Sequence, residues 1–247
     1  KILEKYSIHL NNYFPVNFSG SVNLAEVCRI SNVKKFIFFS SIAAAGPGEN
    51  LTENSPCNPI TDYGKSKCAA ENFFLHLFSS TNFPVVIIRP GLIYGPRGLA
   101  TSFLANFIKK GFIPVVGDGS NTMPMCYVSD LVNASLLAEE KGIPGQIYFI
   151  TEKSYAFNEY LSAIASSLIK KYRRIAIHPY AMHAVIDIKE ACEKILNLKF
   201  SPFRLDISKA SLSCLNYKWS CSSQKAKNEL GFLPIMNLDT GIKEALS

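Results

Sequence analysis

Tyr63 and Lys67 lie four residues apart in the segment YGKSK, and on a helix this spacing places both side chains on one face. An ammonium group one turn from a phenol stabilises the phenolate and lowers the pKa of the phenol from about 10. A tyrosine held in this way can act as a general acid or base. The chain has 11 tyrosines, so the pair alone is equally consistent with an exposed helical surface.

Two other segments place useful groups where strands are predicted to end. Ser40 and Ser41 follow the apolar run FIFF, and open α/β sheets bind ligands at the carboxyl ends of their strands. A hydroxyl there can hydrogen-bond a substrate oxygen, although serine is also a common turn former. The second segment, RPGLIYGP over 89–96, suits either a close backbone approach to a flat ligand or an ordinary turn.

The elements that would position these groups alternate between helices and buried strands. Amphipathic patterns predict helices over 17–31 and 60–79. Continuous apolar runs predict strands over 33–41 and 84–89, each buried on both faces as in a parallel sheet covered by helices. Residues 42–59 are predicted to form a loop. This order predicts an α/β doubly wound sheet.

The second half is predicted to be less regular and to cover the carboxyl edge of the sheet as a lid. The predicted strands span 112–116, 126–128 and 146–150, and the predicted helices span 100–110, 129–141, 156–170, 181–197, 205–215, 223–230 and 238–246. We find no internal repeat and no long linker, so a single compact unit is expected.

Composition and charge narrow the class of protein. The 247 residues are 48% hydrophobic and 18% charged, which suffices for a buried core and excludes intrinsic disorder. No apolar run approaches the ~20 residues of a membrane-spanning helix. The net charge of +7 comes from scattered basic pairs without an RNA-binding signature, so we expect no nucleic-acid partner.

The seven cysteines are odd in number, include no C-x-x-C pair and accompany no signal-peptide pattern. A disulfide framework or a metal site is therefore not expected. We predict free thiols in a reducing cytoplasm. They are Cys28, Cys57, Cys68, Cys126, Cys192, Cys214 and Cys221.

Seven segments, in this order, resemble the motifs of one enzyme family. They are NFSGSVNL at 17–24, FIFFSS at 36–41, LTENSP at 51–56, YGKSK at 63–67, VGDG at 116–119, YVSDL at 127–131 and KAKNELGFLP at 225–234. Together they resemble the extended short-chain dehydrogenase/reductase family, in its NAD-dependent epimerase/dehydratase branch. The resemblance implies a Rossmann-like doubly wound parallel sheet. Residues 1–98 would form a partial cofactor-binding and catalytic region. Residues 99–247 would form a small α+β, mainly substrate-binding region with some elements returning to the core.

The resemblance also implies roles for four residues. Tyr63 would exchange a proton with the substrate carbinol or carbonyl, and Lys67 would hold the nicotinamide ribose and lower the pKa of Tyr63. Ser41 would orient the substrate oxygen, and Asn17 would occupy the position of the family's relay asparagine. The cofactor would be NAD or NADP, with NAD favoured. Its implied contacts are Phe39, Ser40, Tyr63, Lys67, Pro90, Gly91 and Leu92.

The implied substrate is a small molecule with a secondary alcohol or ketone, either a nucleotide sugar or a sterol-like compound. Leu92 and Met123 stand where nucleotide-sugar members often carry polar groups, so the resemblance leans towards the 3β-hydroxysteroid dehydrogenase-like members. Members often pair through the helices matching 17–31 and 60–79, which implies a homodimer. The residues implied to contact the substrate are Ser41, Ile42, Leu92, Arg97 and Met123.

One expected element is missing from the sequence. A dinucleotide-binding fold needs a glycine-rich loop between its first strand and helix, and neither G-x-x-G-x-x-G nor G-x-G-x-x-G occurs. We therefore expect that two or three βα units precede Lys1 in a longer protein. The alternative is a non-catalytic remnant or scaffold protein without cofactor binding. The presence of Ser41, Tyr63 and Lys67 together favours the enzyme.

Overall fold

The structure is a computed structural model that describes residues 13–178, 214 and 217–247. The helices predicted over 181–197 and 205–215 lie outside the described residues, apart from Cys214. Cys192 also lies outside them.

Helices and short strands alternate in the first half, as the sequence predicts. A π-helical segment, Pro15–Gly20, leads directly into the first α-helix. The elements that follow are α1 (Ser21–Ile30), β1 (Phe36–Phe39), α2 (Ile42–Ala45), β2 (Gly48–Leu51), α3 (Asp62–Thr81), β3 (Val85–Pro90) and β4 (Leu92–Tyr94).

The second half contains shorter strands between helices. Its elements are α4 (Leu99–Lys109), β5 (Phe112–Val116), β6 (Thr122–Tyr127), α5 (Val128–Lys141), β7 (Ile147–Ile150), β8 (Ser154–Ala156), α6 (Phe157–Leu168), β9 (Arg173–Ile177), β10 (Trp219–Cys221), α7 (Gln224–Leu230) and α8 (Leu238–Leu246). Within the described ranges, no helix is both long enough and apolar enough to cross a membrane.

The central sheet is parallel and has the strand order β1–β3–β7. β1 pairs with β3 in the register Phe36 to Val85, and β3 pairs with β7 in the register Ile87 to Ile147. All six residues of β3 are buried, as the apolar run from Val85 to Ile88 predicts for a strand covered on both faces.

Helices pack against both faces of β3. Val85 and Ile87 join an aromatic cluster on the side of α1 and α3, in which the ring centroids of Phe38 and Phe74 are 4.7 Å apart. Val86 and Ile88 pack on the opposite side with residues of α5 and α7. This arrangement is a doubly wound α/β sheet, and it confirms the predicted fold class.

α3 carries the YGKSK segment, and local chemistry defines both of its ends. The Gly64 N–H donates to Thr61 Oγ1 at 2.9 Å, which caps the first turn. The last turn ends at Asn82, whose left-handed backbone (φ 55°) directs its N–H to the Phe78 carbonyl. Gly64 also lets α3 approach α2, because a Cβ at that position would overlap the Ala43 carbonyl.

The prediction of a loop over 42–59 is wrong in part, since this segment contains α2 and β2. β2 has the polar sequence GENL and pairs with β10, and the Asn50 N–H donates to Ser220 Oγ 170 residues away. Such a partner lies outside any local sequence window, so no periodic pattern reveals the strand. The short strands β4, β8 and β10 were also not predicted, and β6 begins at Thr122 rather than at residue 126.

The remaining strands form small sheets beside the central one. β6 pairs with β4 in parallel and with β8 antiparallel, and β5 pairs in parallel with β9. β7 comes from the second half of the chain and pairs with β3 in the central sheet. The region boundary at residue 98 stays a prediction.

Candidate active site

Ser41 and Tyr63 meet where β1 ends and α3 begins. The Ser41 side chain lies within hydrogen-bonding reach of the phenol of Tyr63 and lowers the pKa of that phenol. Ser41 Oγ also accepts a hydrogen bond of 3.1 Å from the Ala43 N–H, so it caps α2. Because one lone pair of this oxygen is taken by the helix, its proton is free to be donated to the phenol oxygen. The fold therefore brings together two of the predicted site residues.

The environment of Tyr63 differs from the one expected from sequence. Burial raises the pKa of Tyr63 above its ordinary value, and the hydrogen bond from Ser41 lowers it by less. The raised pKa is opposite in direction to the lowered pKa expected from the sequence, and burial is the largest cause of the difference. The ring of Tyr13 packs edge-on against that of Tyr63, with centroids 5.7 Å apart, and contributes to the burial.

Lys67 lies one turn after Tyr63, and its ammonium is held against the end of β1. Nζ donates to the Phe39 carbonyl at 2.7 Å and lies 5.1 Å from the centroid of the Phe38 ring. Burial lowers the pKa of Lys67, while the Glu71 carboxylate opposes this shift. The ammonium is therefore directed at the strand end rather than at the phenol.

Asn17 contacts α3 through a serine that the sequence analysis did not single out. Asn17 Nδ2 donates to Ser66 Oγ at 3.0 Å, and the Ser66 hydroxyl donates to the Tyr63 carbonyl at 2.7 Å. Ser66 is fully buried. This chain of bonds ties the segment before α1 to the first turn of α3, and thus to the backbone that carries Tyr63.

The predicted cofactor contacts lie at the carboxyl ends of β1 and β3. Ser40 Oγ is buried and has no hydrogen-bond partner among the described residues. Pro90 ends β3, and Gly91 packs so closely that a Cβ there would overlap the Pro124 carbonyl. Leu92, the first residue of β4, keeps 37% of its surface exposed.

These groups fit the nicotinamide and ribose part of a dinucleotide. An ammonium has three donors, and one of those on Lys67 is used by the Phe39 carbonyl. The other donors can bond to two adjacent ribose hydroxyls. The unpartnered Ser40 hydroxyl supplies a further polar group at the same sheet edge.

The five predicted substrate contacts lie in different surroundings. Ile42 packs with Phe149 and Trp219 in a buried cluster and is only 9% exposed, and its contact with substrate stays a prediction. Met123 is half-buried beside another apolar cluster. Arg97 is exposed, at a positive φ of 64°. Ser41 and Leu92 are accessible at the strand ends described above.

A buried ion pair supports the site, and sequence reasoning missed it. Arg89 Nε and Nη2 donate to the two carboxylate oxygens of Glu71 at 2.8 and 2.6 Å. Both side chains are almost fully buried, and the guanidinium lies 5.4 Å from the centroid of the Phe149 ring. The pair joins β3 to α3. The arginine at the start of RPGLIYGP was the available signal, but nothing in the sequence identifies Glu71 as its partner.

Comparison with known sequences decides the family. Residues 4–151 match the NAD dependent epimerase/dehydratase family. The chain belongs to this family. The match covers more than half of the chain and confirms the resemblance drawn from the motifs.

Curated relatives include both sterol and sugar enzymes. The chain is 27% identical over 265 residues to 3beta-hydroxysteroid-dehydrogenase/decarboxylase isoform 1 of Arabidopsis thaliana, covering 96% of this chain and 58% of the relative. It is 33% identical over 141 residues to human dTDP-D-glucose 4,6-dehydratase, covering 55% of this chain and 40% of the relative. The chain thus spans about half the length of these relatives.

Solved structures agree in fold. A dTDP-glucose 4,6-dehydratase from Bacillus anthracis in complex with NAD matches with a TM-score of 0.73 at 21% identity, covering 94% of this chain and 67% of that one. A UDP-glucose 4-epimerase from Thermus thermophilus in complex with NAD matches with a TM-score of 0.71 at 24% identity, covering 94% and 69%. The described architecture is therefore that of NAD-binding proteins.

Proposed function

We propose that this chain carries the catalytic and substrate-binding residues of an NAD(P)-dependent enzyme that interconverts a secondary alcohol and a ketone. The observation that supports this proposal is the placement of Ser41 beside the Tyr63 phenol, with Lys67 one helical turn away at the same strand end. Family membership gives the same reaction class. NAD is favoured over NADP.

Tyr63 acts as the proton donor when a ketone is reduced. Its raised pKa keeps the phenol protonated at neutral pH, so a proton is available for the substrate oxygen. When Tyr63 gives up its proton in reduction, the donated hydrogen bond from Ser41 stabilises the phenolate left behind. In the direction of oxidation, this phenolate takes the carbinol proton and becomes the phenol again. A bound nicotinamide dinucleotide supplies the hydride acceptor; release of the ketone gives a dehydrogenase, and return of the hydride to its other face gives an epimerase.

Lys67 and Asn17 position the site. The contact of the Lys67 ammonium with the Phe39 carbonyl holds it at the carboxyl edge of the sheet, where its remaining donors face a ribose. The bonds from Asn17 through Ser66 hold the first turn of α3 in place. A fixed first turn keeps the Tyr63 oxygen at a constant distance from a bound substrate, as proton transfer requires.

The substrate class favoured by the site is a sterol-like alcohol. Leu92 is exposed at the start of β4, and Met123 lies on the neighbouring β6, so these two strands add apolar side chains beside the polar groups of the site. Relatives that cover nearly the whole chain include sterol enzymes by name, among them a mouse sterol-4-alpha-carboxylate 3-dehydrogenase at 26% identity. Nucleotide sugars remain the competing class, since sugar epimerases and dehydratases are also relatives.

The proposal also includes an oligomeric state and a location: the protein forms a homodimer and lies in the cytoplasm. Leu24, Val27 and Ile30 on α1 are each more than half exposed, which suits burial against a second copy. The proposed compartment rests on the free thiols described in the chain, because reduced cysteines are typical of the cytoplasm.

The test uses the full-length protein with Tyr63→Phe. Turnover of sterol-like alcohols, followed by absorbance of the reduced cofactor, should fall by about 10²–10⁴-fold, as expected for loss of a general acid or base. Dinucleotide affinity, measured by calorimetry, should stay unchanged. Tyr217→Phe removes a hydroxyl from an exposed tyrosine and is the matched control. Absence of dinucleotide binding to the full-length protein would sink the proposal and support the scaffold reading.

A further inference from the structure

Cys57 and Cys68 are brought into contact beside the candidate active site. Cys57 lies in the segment between β2 and α3, and its side chain is exposed. Cys68 is the residue after Lys67 on α3 and is partly buried. Arg89 Nη2 lies 3.0 Å from the Cys57 sulfur and 2.6 Å from Oε2 of Glu71, which follows Cys68 by three residues on α3. Cys57 is therefore held against the turn of α3 that carries Cys68, and each thiol shifts the pKa of the other. Asn72 Nδ2 donates to the Cys68 sulfur at 3.7 Å. The two sulfurs thus form a pair at the surface.

A buried arginine selects one sulfur of this pair. Arg89 Nη2 donates to the Cys57 sulfur at 3.0 Å, and the Arg89 side chain is almost fully buried. A cationic donor fixed at that distance favours the thiolate over the thiol. No hydrogen bond joins Arg89 to Cys68 among the described contacts. The geometry therefore gives the two cysteines unequal roles.

The protonation of the two thiols follows the same division. Cys68 and Arg89 together lower the pKa of Cys57 to about 6, with Cys68 the larger cause, against the opposing effects of burial and Glu71. The pKa of Cys68 is raised, first by its hydrogen bond with Cys57 and then by burial. At neutral pH, Cys57 is the thiolate and Cys68 the thiol.

We propose that Cys57 and Cys68 form a peroxide-reactive dithiol, in which Cys57 attacks and Cys68 resolves. The Cys57 thiolate forms a bond to one peroxide oxygen as the O–O bond breaks, and the hydroxide released takes up a proton to leave as water. Cys57 is then a sulfenic acid. The Cys68 sulfur attacks it, the S–O bond breaks, and the Cys68 proton leaves with the oxygen as a second water. The sulfurs lose two electrons, and the peroxide gains them.

The disulfide would join two segments that meet at the candidate active site. The segment carrying Cys57 is attached to α2 by a 2.7 Å hydrogen bond from the Asn58 N–H to the Ala45 carbonyl. Cys68 lies on the same helix as Tyr63 and Lys67. Under oxidising conditions, this disulfide would attach the segment that carries Cys57 to α3, the helix that carries both residues.

Another pair of cysteines provides an internal comparison. Cys126 and Cys221 lie close enough to influence each other's charge, and Cys126 is buried. Burial raises the pKa of Cys126 and of Cys221 to about 12 in each case. These thiols stay protonated at neutral pH, so peroxide should leave them unchanged.

The test follows the chemistry of the sulfurs in the full-length protein, without a measurement of turnover. Reduced protein is treated with a few equivalents of hydrogen peroxide, free thiols are blocked with N-ethylmaleimide, and tryptic peptides are analysed by mass spectrometry. Lys65 and Lys67 lie between the two cysteines, so trypsin separates them unless a disulfide joins their peptides. We expect a Cys57–Cys68 cross-link with the loss of two hydrogens.

Two variants separate the roles of the sulfurs. Cys68→Ser should stop the reaction at the sulfenic acid, which dimedone traps at Cys57. Cys57→Ser should abolish both products, while the control Cys221→Ser should retain the cross-link. If a variant fails to fold, the proposal is tested by the rate of Cys57 alkylation in the unaltered protein as a function of pH. We expect this rate to reach half its maximum at a pH of about 6. A midpoint near the ordinary thiol value, or a cross-link between other cysteines, overturns the proposal.

Discussion

The side-chain oxygen of Ser41 caps the start of α2 and also lies beside the phenol of Tyr63. It accepts a hydrogen bond from the Ala43 N–H and hydrogen-bonds to the Tyr63 phenol. The first contact holds the serine at the start of α2, so the second has a defined direction. A free hydroxyl would adopt several rotamers, whereas a capping serine has lost most of that freedom. Ser41 is therefore the residue on which the protonation of Tyr63 depends most directly.

We predict that Ser41→Ala lowers turnover by about 10²–10³-fold, the cost of removing one positioned donor. The variant should also shift the pH dependence of ketone reduction. The hydrogen bond from Ser41 lowers the pKa of Tyr63, so its loss raises that pKa and moves the alkaline decline in activity to higher pH. Steady-state rates across the pH range measure both effects. Ser55→Ala, in the segment before α3, is the control, and an unshifted alkaline limb would contradict the assignment.

At the scale of elements, α3 is positioned by contacts on two sides. Arg89 of β3 holds Glu71 through two short charged hydrogen bonds in a buried setting. On the other side, Gly64 allows α3 to approach the Ala43 carbonyl of α2. Lys67 lies between these contacts, and Tyr63 directly precedes Gly64. The active-site geometry therefore depends on residues that never touch a substrate.

Glu71→Gln should lower the free energy of unfolding by about 3–5 kcal/mol, because it leaves the buried Arg89 charge without its partner. Urea denaturation measures this loss. Glu26→Gln removes one member of the exposed Glu26–Arg29 pair and should leave the midpoint unchanged, since exposed pairs contribute little. Equal effects of the two substitutions would show that the Arg89–Glu71 pair has no special role.

Gly64→Ala should separate α3 from α2 and reduce activity more than stability. The added methyl group overlaps the Ala43 carbonyl, and relief of such overlap costs about 1–3 kcal/mol. The movement also lengthens the hydrogen bond between Ser41 and Tyr63, so turnover should fall at least tenfold. Gly20→Ala, at a helical position with room for a Cβ, is the control. Full activity of Gly64→Ala would show that the approach of the two helices is not needed.

At the scale of the whole molecule, α1 presents an apolar surface. Leu24, Val27 and Ile30 recur at a spacing of three residues, and they are 54%, 60% and 67% exposed. Isolated exposed apolar residues are common, but a contiguous stripe is typical of an interface. The proposed homodimer would bury this stripe against its symmetry-related copy.

We expect Val27→Glu to convert a dimer of the full-length protein into a monomer, because a buried and unpaired carboxylate opposes association. Sedimentation velocity over a range of concentrations measures the change. Ile169→Lys alters another highly exposed apolar residue, after α6, and should leave the association state as it was. A dimer that survives Val27→Glu would place the interface elsewhere.

The amino-acid sequence by itself determined the family and the fold class, and it supplied the candidate site residues. These features depend on short-range patterns: the apolar runs of β1 and β3, the helical spacing of Tyr63 and Lys67, and motifs that keep their order along the chain. The tertiary structure alone decided the pairing of β2 with β10, the burial of Ile42 and the partnership of Arg89 with Glu71. It also turned the Lys67 ammonium towards the Phe39 carbonyl and raised the pKa of Tyr63. Each of these depends on residues far apart in sequence and on how completely water is excluded, which no local pattern encodes.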